Sequence, residues 1–167
     1  MKTRKCVLFV YVAMGLAFFA ITAIGWAADK ELQNEKIAVK FAREVERGGY
    51  KVITTQELKT WLDQKKDMLV VDTMPADNFK KQHIPGAVNF EIQRHPELTE
   101  MSDKMKADFE KLLGPDKERT IVFYCGFTDC ERSHNAGMWA IKLGYKNVYR
   151  QPGGIMGWLE AGYPVEK

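Results

Sequence analysis

Apolar residues recur at two spacings along this chain. Unbroken runs of about four alternate with stretches in which they return every three or four positions. Met68-Leu-Val-Val71 is one unbroken run and ends at Asp72; Ile121-Val-Phe-Tyr124 is another and ends at Cys125-Gly126. Runs of that length, rich in β-branched and aromatic residues, predict strands buried on both faces. Shorter strands are predicted at Lys51–Ile53, Ala87–Phe90 and Asn147–Tyr149. Between them the spacing is helical: from a Thr54 or Thr55 cap to Gln64 with Leu58, Trp61 and Leu62 on one side, and from Pro75 to Phe79. A longer helical stretch is predicted over 94–113 on Leu98, Met101, Met105, Phe109 and Leu112, closed by Gly114-Pro115-Asp116; its methionines read as core filler. A further helix runs from Arg132 or Ser133 to Leu143, and Gly153-Gly154 opens the last, which carries Trp158 and Leu159. Strands alternating with helices predict an α/β fold with a parallel sheet covered on both faces.

The amino end has a different pattern. Lys2, Arg4 and Lys5 precede an uncharged run from Val7 to Ala28, the form of an export signal's basic and apolar regions. Gly25-Trp26-Ala27 sets small residues where a signal peptidase inspects the chain, and cleavage would fall before Ala28. The run also approaches the length that spans a bilayer. Residues 1–27 are therefore a signal peptide or a membrane anchor, and both place the domain outside the cytoplasm, in a periplasmic or similar compartment. Residues 28–49 read as a loosely amphipathic helical linker ending at Gly48-Gly49, and 50–167 as the compact domain. Without residues 1–27 the formal charge falls from +3 to 0, so the basic balance belongs to the targeting segment and no nucleic-acid footprint remains. Membrane contact is expected only through that segment, if it stays uncleaved.

Removal of Cys6 with the leader leaves Cys125 and Cys130. Cys125 stands at the carboxyl end of a strand and before a helix, where partial positive charge favours a thiolate and where open α/β sheets bind ligands. It is the candidate nucleophile. A buried cysteine also serves as a small core hydrophobe, but this one ends its strand and shares its loop with Cys130. A bridge across so small a loop adds little stability, so a redox-active or reactive pair is the better account. The spacing of cysteines and of His83, His95 and His134 matches no metal site, and no cofactor is expected. His83, in His-Ile-Pro-Gly, reads as a structural hydrogen-bonder in a turn, and Asp72 as a residue that orients the loop at the sheet's edge.

Val70-Val-Asp72, Phe79, His83-Ile-Pro-Gly-Ala-Val-Asn89, Val122-Phe-Tyr-Cys125, Gly144-Tyr145 and Gly153-Gly-Ile-Met-Gly-Trp158, in that order, resemble a single-domain rhodanese over about residues 50 to 165. The resemblance implies a five-stranded parallel sheet flanked by helices on both faces. It also implies that Cys125 carries sulfane sulfur as a persulfide, from a small donor such as thiosulfate or polysulfide to a thiol or cyanide-like acceptor. The loop residues Gly126, Phe127, Thr128, Asp129, Cys130, Glu131 and Arg132 would then bind the substrate, with backbone N–H groups facing the persulfide and Arg132 pairing with an anionic donor. Thr128 or Ser133 would donate to the sulfur or cap the helix. Members of the family typically set an arginine or hydroxyl residue five positions after the cysteine, where this chain has Cys130. Arg132 comes seven after, and Asp129 and Glu131 would repel a doubly charged donor. Cys130 then reads as a resolving thiol that would require an exported thiol reductase, as a second sulfur carrier, or as one half of a static bridge. Two other function classes stay open: a thiol–disulfide or oxyanion reductase using the Cys125/Cys130 pair, and a non-catalytic rhodanese-like binding module.

Overall fold

In the computed structural model, residues 30–167 are described; the segment read as a signal peptide or anchor, 1–27, lies outside them. The chain divides into two compact units, Met1–Lys40 and Phe41–Lys167. In the first, residues 30–40 are helical and mostly exposed. The second contains the end of that helix (α1, 30–48) and all the strands: β1 (Lys51–Val52), β2 (Leu69–Asp72), β3 (Val88–Asn89), β4 (Thr120–Tyr124) and β5 (Asn147–Arg150). They form one five-stranded sheet in the order β1-β5-β4-β2-β3, with every pairing parallel. The connecting helices are α2 (Thr55–Asp63), α3 (Ala76–Lys81), α4 (Asp103–Leu113) and α5 (Glu131–Lys142), with α6 (Gly154–Glu160) after β5.

The period-two geometry of a strand explains why residues 69–71 of β2 and 121–124 of β4 are unbroken apolar runs. Val70, Val122 and Tyr124 face one core, shared with Leu58, Ile84 and Trp158. Val71, Ile121 and Phe123 face the other, shared with Phe109, Leu113 and Val148. The predicted fold class is the observed one. Register then sets the working edge of the sheet: Asp72 stands beside Tyr124, and Arg150 beside Phe123, so Asp72 and Arg150 flank the strand that ends at Cys125.

Two stretches differ from the sequence reading. The helix predicted over 94–113 begins only at Asp103, where the Ser102 hydroxyl accepts from the Met105 N–H. Pro96 disfavours helix in the residue before it, and α5 supplies the segment with partners. Leu98 N–H donates to Asn135 Oδ1 at 2.9 Å, Asn135 Nδ2 to the His95 carbonyl at 2.8 Å, and Trp139 Nε1 to the Leu98 carbonyl at 2.8 Å. Leu98 and Met101 reach the core from this irregular stretch. The second difference is in the segment read as a linker. From Phe41 onward it belongs to the second unit, where the Glu44 side chain is buried.

Candidate active site

Cys125 leaves β4 at the sheet's carboxyl edge and is 1% exposed. Its backbone is clamped by the start of α6: the Ile155 N–H donates to the Cys125 carbonyl at 2.9 Å and the Met156 N–H to the Gly126 carbonyl at 3.0 Å. That approach requires a glycine at 154. Its φ is +62°, and a Cβ there would collide with the Cys125 carbonyl oxygen and lie 2.6 Å from that of Gly126. Gln151 steadies the same corner, its Oε1 accepting from the Gly154 N–H at 2.8 Å. On the other side, Asp72 is fully buried. Its Oδ1 accepts from the Met74 N–H at 2.8 Å, and its main-chain carbonyl accepts from Phe90 N–H and Asn89 Nδ2. Asp72 thus fixes the 72–74 turn and meets the cysteine loop through Met74, whose sulfur lies against Gly126. Burial pushes the Asp72 carboxyl up from the ordinary range, and burial likewise raises the Tyr124 phenol beside it.

Cys125 and Cys130 are joined by a disulfide with Cα atoms 6.6 Å apart. The Cys130 N–H closes a turn onto the Phe127 carbonyl at 3.1 Å, and Cys130 is the N-cap of α5. The far side of this turn rests on Arg150, a residue the sequence reading did not single out. Fully buried, it donates from Nη2 to the carbonyls of Cys130 (2.9 Å) and Thr128 (3.3 Å), and from Nε to Ser133 Oγ (3.0 Å). Its Nη1 pairs with Glu44 at 2.5 Å and donates to the Tyr50 hydroxyl at 3.1 Å. That hydroxyl lies 2.8 Å from His134 Nδ1, and burial raises its pKa. Ser133 is therefore turned to Arg150, and His134 to Tyr50. The sequence carries only a weak signal for it, an arginine directly after the short predicted strand Asn147–Tyr149, where ligand sites gather in such sheets; that this strand lies beside the cysteine strand is visible only in the fold.

Of the other expected site residues, Gly126, Phe127, Cys130 and Arg132 line two open clefts, and Thr128, Asp129 and Glu131 line neither. One, of about 290 Å³, is lined by Met74, Asn78, Phe127, Ile155 and Met156 among others. The second, of about 180 Å³, is lined by Met74, Arg94, Phe127, Cys130 and Arg132. Phe127 stands 46% exposed at the mouth of both, with the Arg94 guanidinium over its ring at 5.9 Å. Arg132 Nη1 donates to the Ile92 carbonyl at 2.7 Å. Glu131, expected to repel anions, is paired with Arg94 at 3.1 Å, which offsets its charge. Asp129 is half-buried and Thr128 exposed, its carbonyl held by Arg150. His83 is held structurally, stacked on Phe79 and bonded through Nδ1 to the Phe79 carbonyl. Among the described residues no cluster of three or more His, Cys, Asp or Glu could hold a metal, and no helix is long and apolar enough to cross a membrane.

A parallel α/β sheet whose central strand ends in a clamped cysteine loop, flanked by two clefts of which one is lined by arginines, defines a class of cysteine-loop domains. The chain belongs to the rhodanese-like family, whose model, described as "Rhodanese-like domain", matches residues 54–161. A tRNA uridine(34) hydroxylase from Burkholderia lata is 30% identical over 136 residues, covering 77% of this chain and 44% of the relative. The chain thus spans less than half the length of that protein. Among solved structures, a thiosulfate sulfurtransferase from Pseudomonas aeruginosa superposes with a TM-score of 0.59 at 20% identity, over 78% of this chain and 22% of that one. A polysulfide-sulfur transferase homodimer from Wolinella succinogenes gives 0.56 at 20% identity, over 77% and 88%. These two likenesses establish the shared fold.

Proposed function

We propose that this protein is an exported sulfurtransferase that moves sulfane sulfur through a persulfide on Cys125. The observation that carries the reading is the placement of Cys125 at the end of the central strand, its backbone clamped by α6 and its loop bordered by two clefts with apolar and thioether walls, the smaller of which also holds Arg94 and Arg132. Membership of the rhodanese-like family supports it, as do the activities named for two proteins of the same fold. Export rests on the basic and apolar order of residues 1–28.

The chemistry starts from the reduced pair. The Cys125 thiolate attacks the outer sulfur of thiosulfate. A new S–S bond forms, the bond to the sulfonate sulfur breaks, and sulfite leaves with its electron pair. An acceptor thiolate or cyanide then attacks the terminal sulfur of the persulfide, and Cys125 departs as thiolate. Arg132 draws the anionic donor toward the loop, while Met74, Phe127, Ile155 and Met156 offer polarisable surface to sulfur. The direct test is thiocyanate formation from thiosulfate or polysulfide and cyanide by the pre-reduced full chain. Cys125→Ser should lower the rate by more than about 100-fold, because the nucleophile itself is gone. A variant as active as the parent would refute the proposal.

The disulfide favours one other reading, thiol–disulfide exchange through the Cys125/Cys130 pair. That activity needs both sulfurs in every turnover. It predicts disulfide reduction with a dithiol donor and no thiocyanate.

A further inference from the structure

The two cysteine backbones are held from opposite sides by parts of the scaffold that do not depend on the bridge between them. Cys125 is fixed through its carbonyl by the Ile155 N–H, and its neighbour Gly126 by the Met156 N–H. Cys130 is fixed through its carbonyl by the buried Arg150, which lies outside the loop the bridge closes. The Cα separation of 6.6 Å lies within the range a disulfide spans without backbone movement. Breaking the bridge leaves these anchors in place, so the reduced thiols stay within reach of each other. The pair is also asymmetric. Cys130 lines the smaller cleft beside Arg94 and Arg132 and caps the twelve-residue α5, whereas Cys125 lines neither cleft. A helix N-terminus favours thiolate at its cap, and the Arg132 guanidinium in the same cleft favours the approach of an anionic thiolate from outside.

We propose a second activity at this site: reductive release of sulfide from the Cys125 persulfide, with Cys130 as the resolving thiol and a dithiol reductant entering at Cys130. This rests on the sulfurtransferase reading. The Cys130 thiolate attacks the Cys125 Sγ. The Sγ–Sγ bond forms, the bond between Cys125 Sγ and the terminal sulfur breaks, and that sulfur leaves with the electron pair as hydrosulfide. The sulfane sulfur is reduced and the two cysteines are oxidised to the observed disulfide. A dithiol then attacks Cys130 Sγ from the cleft, and Cys125 departs as thiolate. The second thiol of the reductant resolves the mixed disulfide, so the reductant leaves oxidised and both cysteines return as thiols. The fate of the sulfur thus depends on what reaches the loop. An acceptor takes it as sulfane sulfur, and without one Cys130 expels it as sulfide.

The experiment is a single turnover. The full chain is reduced, freed of reductant under anaerobic conditions, and given one equivalent of sulfane sulfur as polysulfide or thiosulfate with no acceptor. Free sulfide and intact mass are then followed together. The wild type should release one sulfide per chain and end two hydrogens lighter than the reduced protein, with Cys125 linked to Cys130. In Cys130→Ser and Cys130→Ala, sulfide release should fall at least 10-fold and the mass of one added sulfur should persist. Wild-type protein that retains its added sulfur and releases no sulfide overturns the second activity and leaves the sulfurtransferase reading standing. Failure of the wild type and both variants to take up sulfur overturns both. Treating the spent wild type with dithiothreitol, and removing the dithiothreitol anaerobically before reloading, should restore a second, equal burst of sulfide. A spent protein that does not reload overturns the proposed route of re-entry.

Discussion

At the scale of single residues, the site depends on two buried ionisable side chains, Arg150 and Asp72. Arg150 satisfies the carbonyls of Thr128 and Cys130, and its own charge is balanced by Glu44 at 2.5 Å. Removing one member of such a pair leaves a buried charge uncompensated, which typically costs about 3–5 kcal/mol. Glu44→Ala should therefore lower unfolding stability by about 3 kcal/mol in urea titrations, and Glu44→Gln, which keeps a hydrogen-bond acceptor, by less. Equal stability of Glu44→Ala and the parent would contradict this account of the loop's support. Asp72 gives a pH-dependent prediction. Burial raises its folded pKa, so between the unfolded carboxylate range, near 4, and that raised value the unfolded chain releases its proton first. Stability contributed by the protonated carboxyl is complete below the unfolded pKa and is lost as pH rises through the folded one. The stability difference between Asp72→Asn and the parent should then shift in favour of the variant across that window. Parallel pH curves would show that Asp72 ionises as it does in water.

At the scale of elements, the key junction is between the end of β4 and the start of α6. Gly154→Ala sets a Cβ against the Cys125 and Gly126 carbonyls at a backbone angle that L residues rarely adopt. Strain and collision together should cost on the order of 2–3 kcal/mol, read as a lowered urea midpoint, with slower sulfur loading of the reduced protein. Unchanged stability would mean that α6 is not seated as described. The strands that carry this junction were legible in the sequence because a strand buried on both faces leaves an unbroken apolar run, as in Met68–Val71 and Ile121–Tyr124. The stretch before Asp103 was not. Leu98 and Met101 have helical spacing, yet the partners that hold that stretch outside a helix, Asn135 and Trp139, lie about forty residues away. Periodicity registers which residues face a core but not which distant side chains satisfy the backbone.

At the scale of the whole molecule, the parallel sheet collects Asp72, Cys125 and Arg150 at one edge through its strand order alone. Cys125 and Cys130 were legible because the chemistry of a cysteine at a strand's end is local. Arg150 was not, because its role arises only when β5 lies beside β4 and α1 brings Glu44 to it. The central claim is that reduced Cys125 accepts a sulfane sulfur atom. Intact-mass spectrometry of the pre-reduced full chain after brief exposure to thiosulfate, and separately to polysulfide, tests it most directly when paired with peptide mapping in a Cys130→Ser background that holds the product. In Cys130→Ser the account predicts a mass gain of one sulfur atom, located on Cys125 and removed by cyanide; in the wild type it predicts that gain or its successor, the Cys125–Cys130 disulfide with one sulfide released. A chain that gains no sulfur from either donor while its reduced cysteines remain open to alkylation would contradict it.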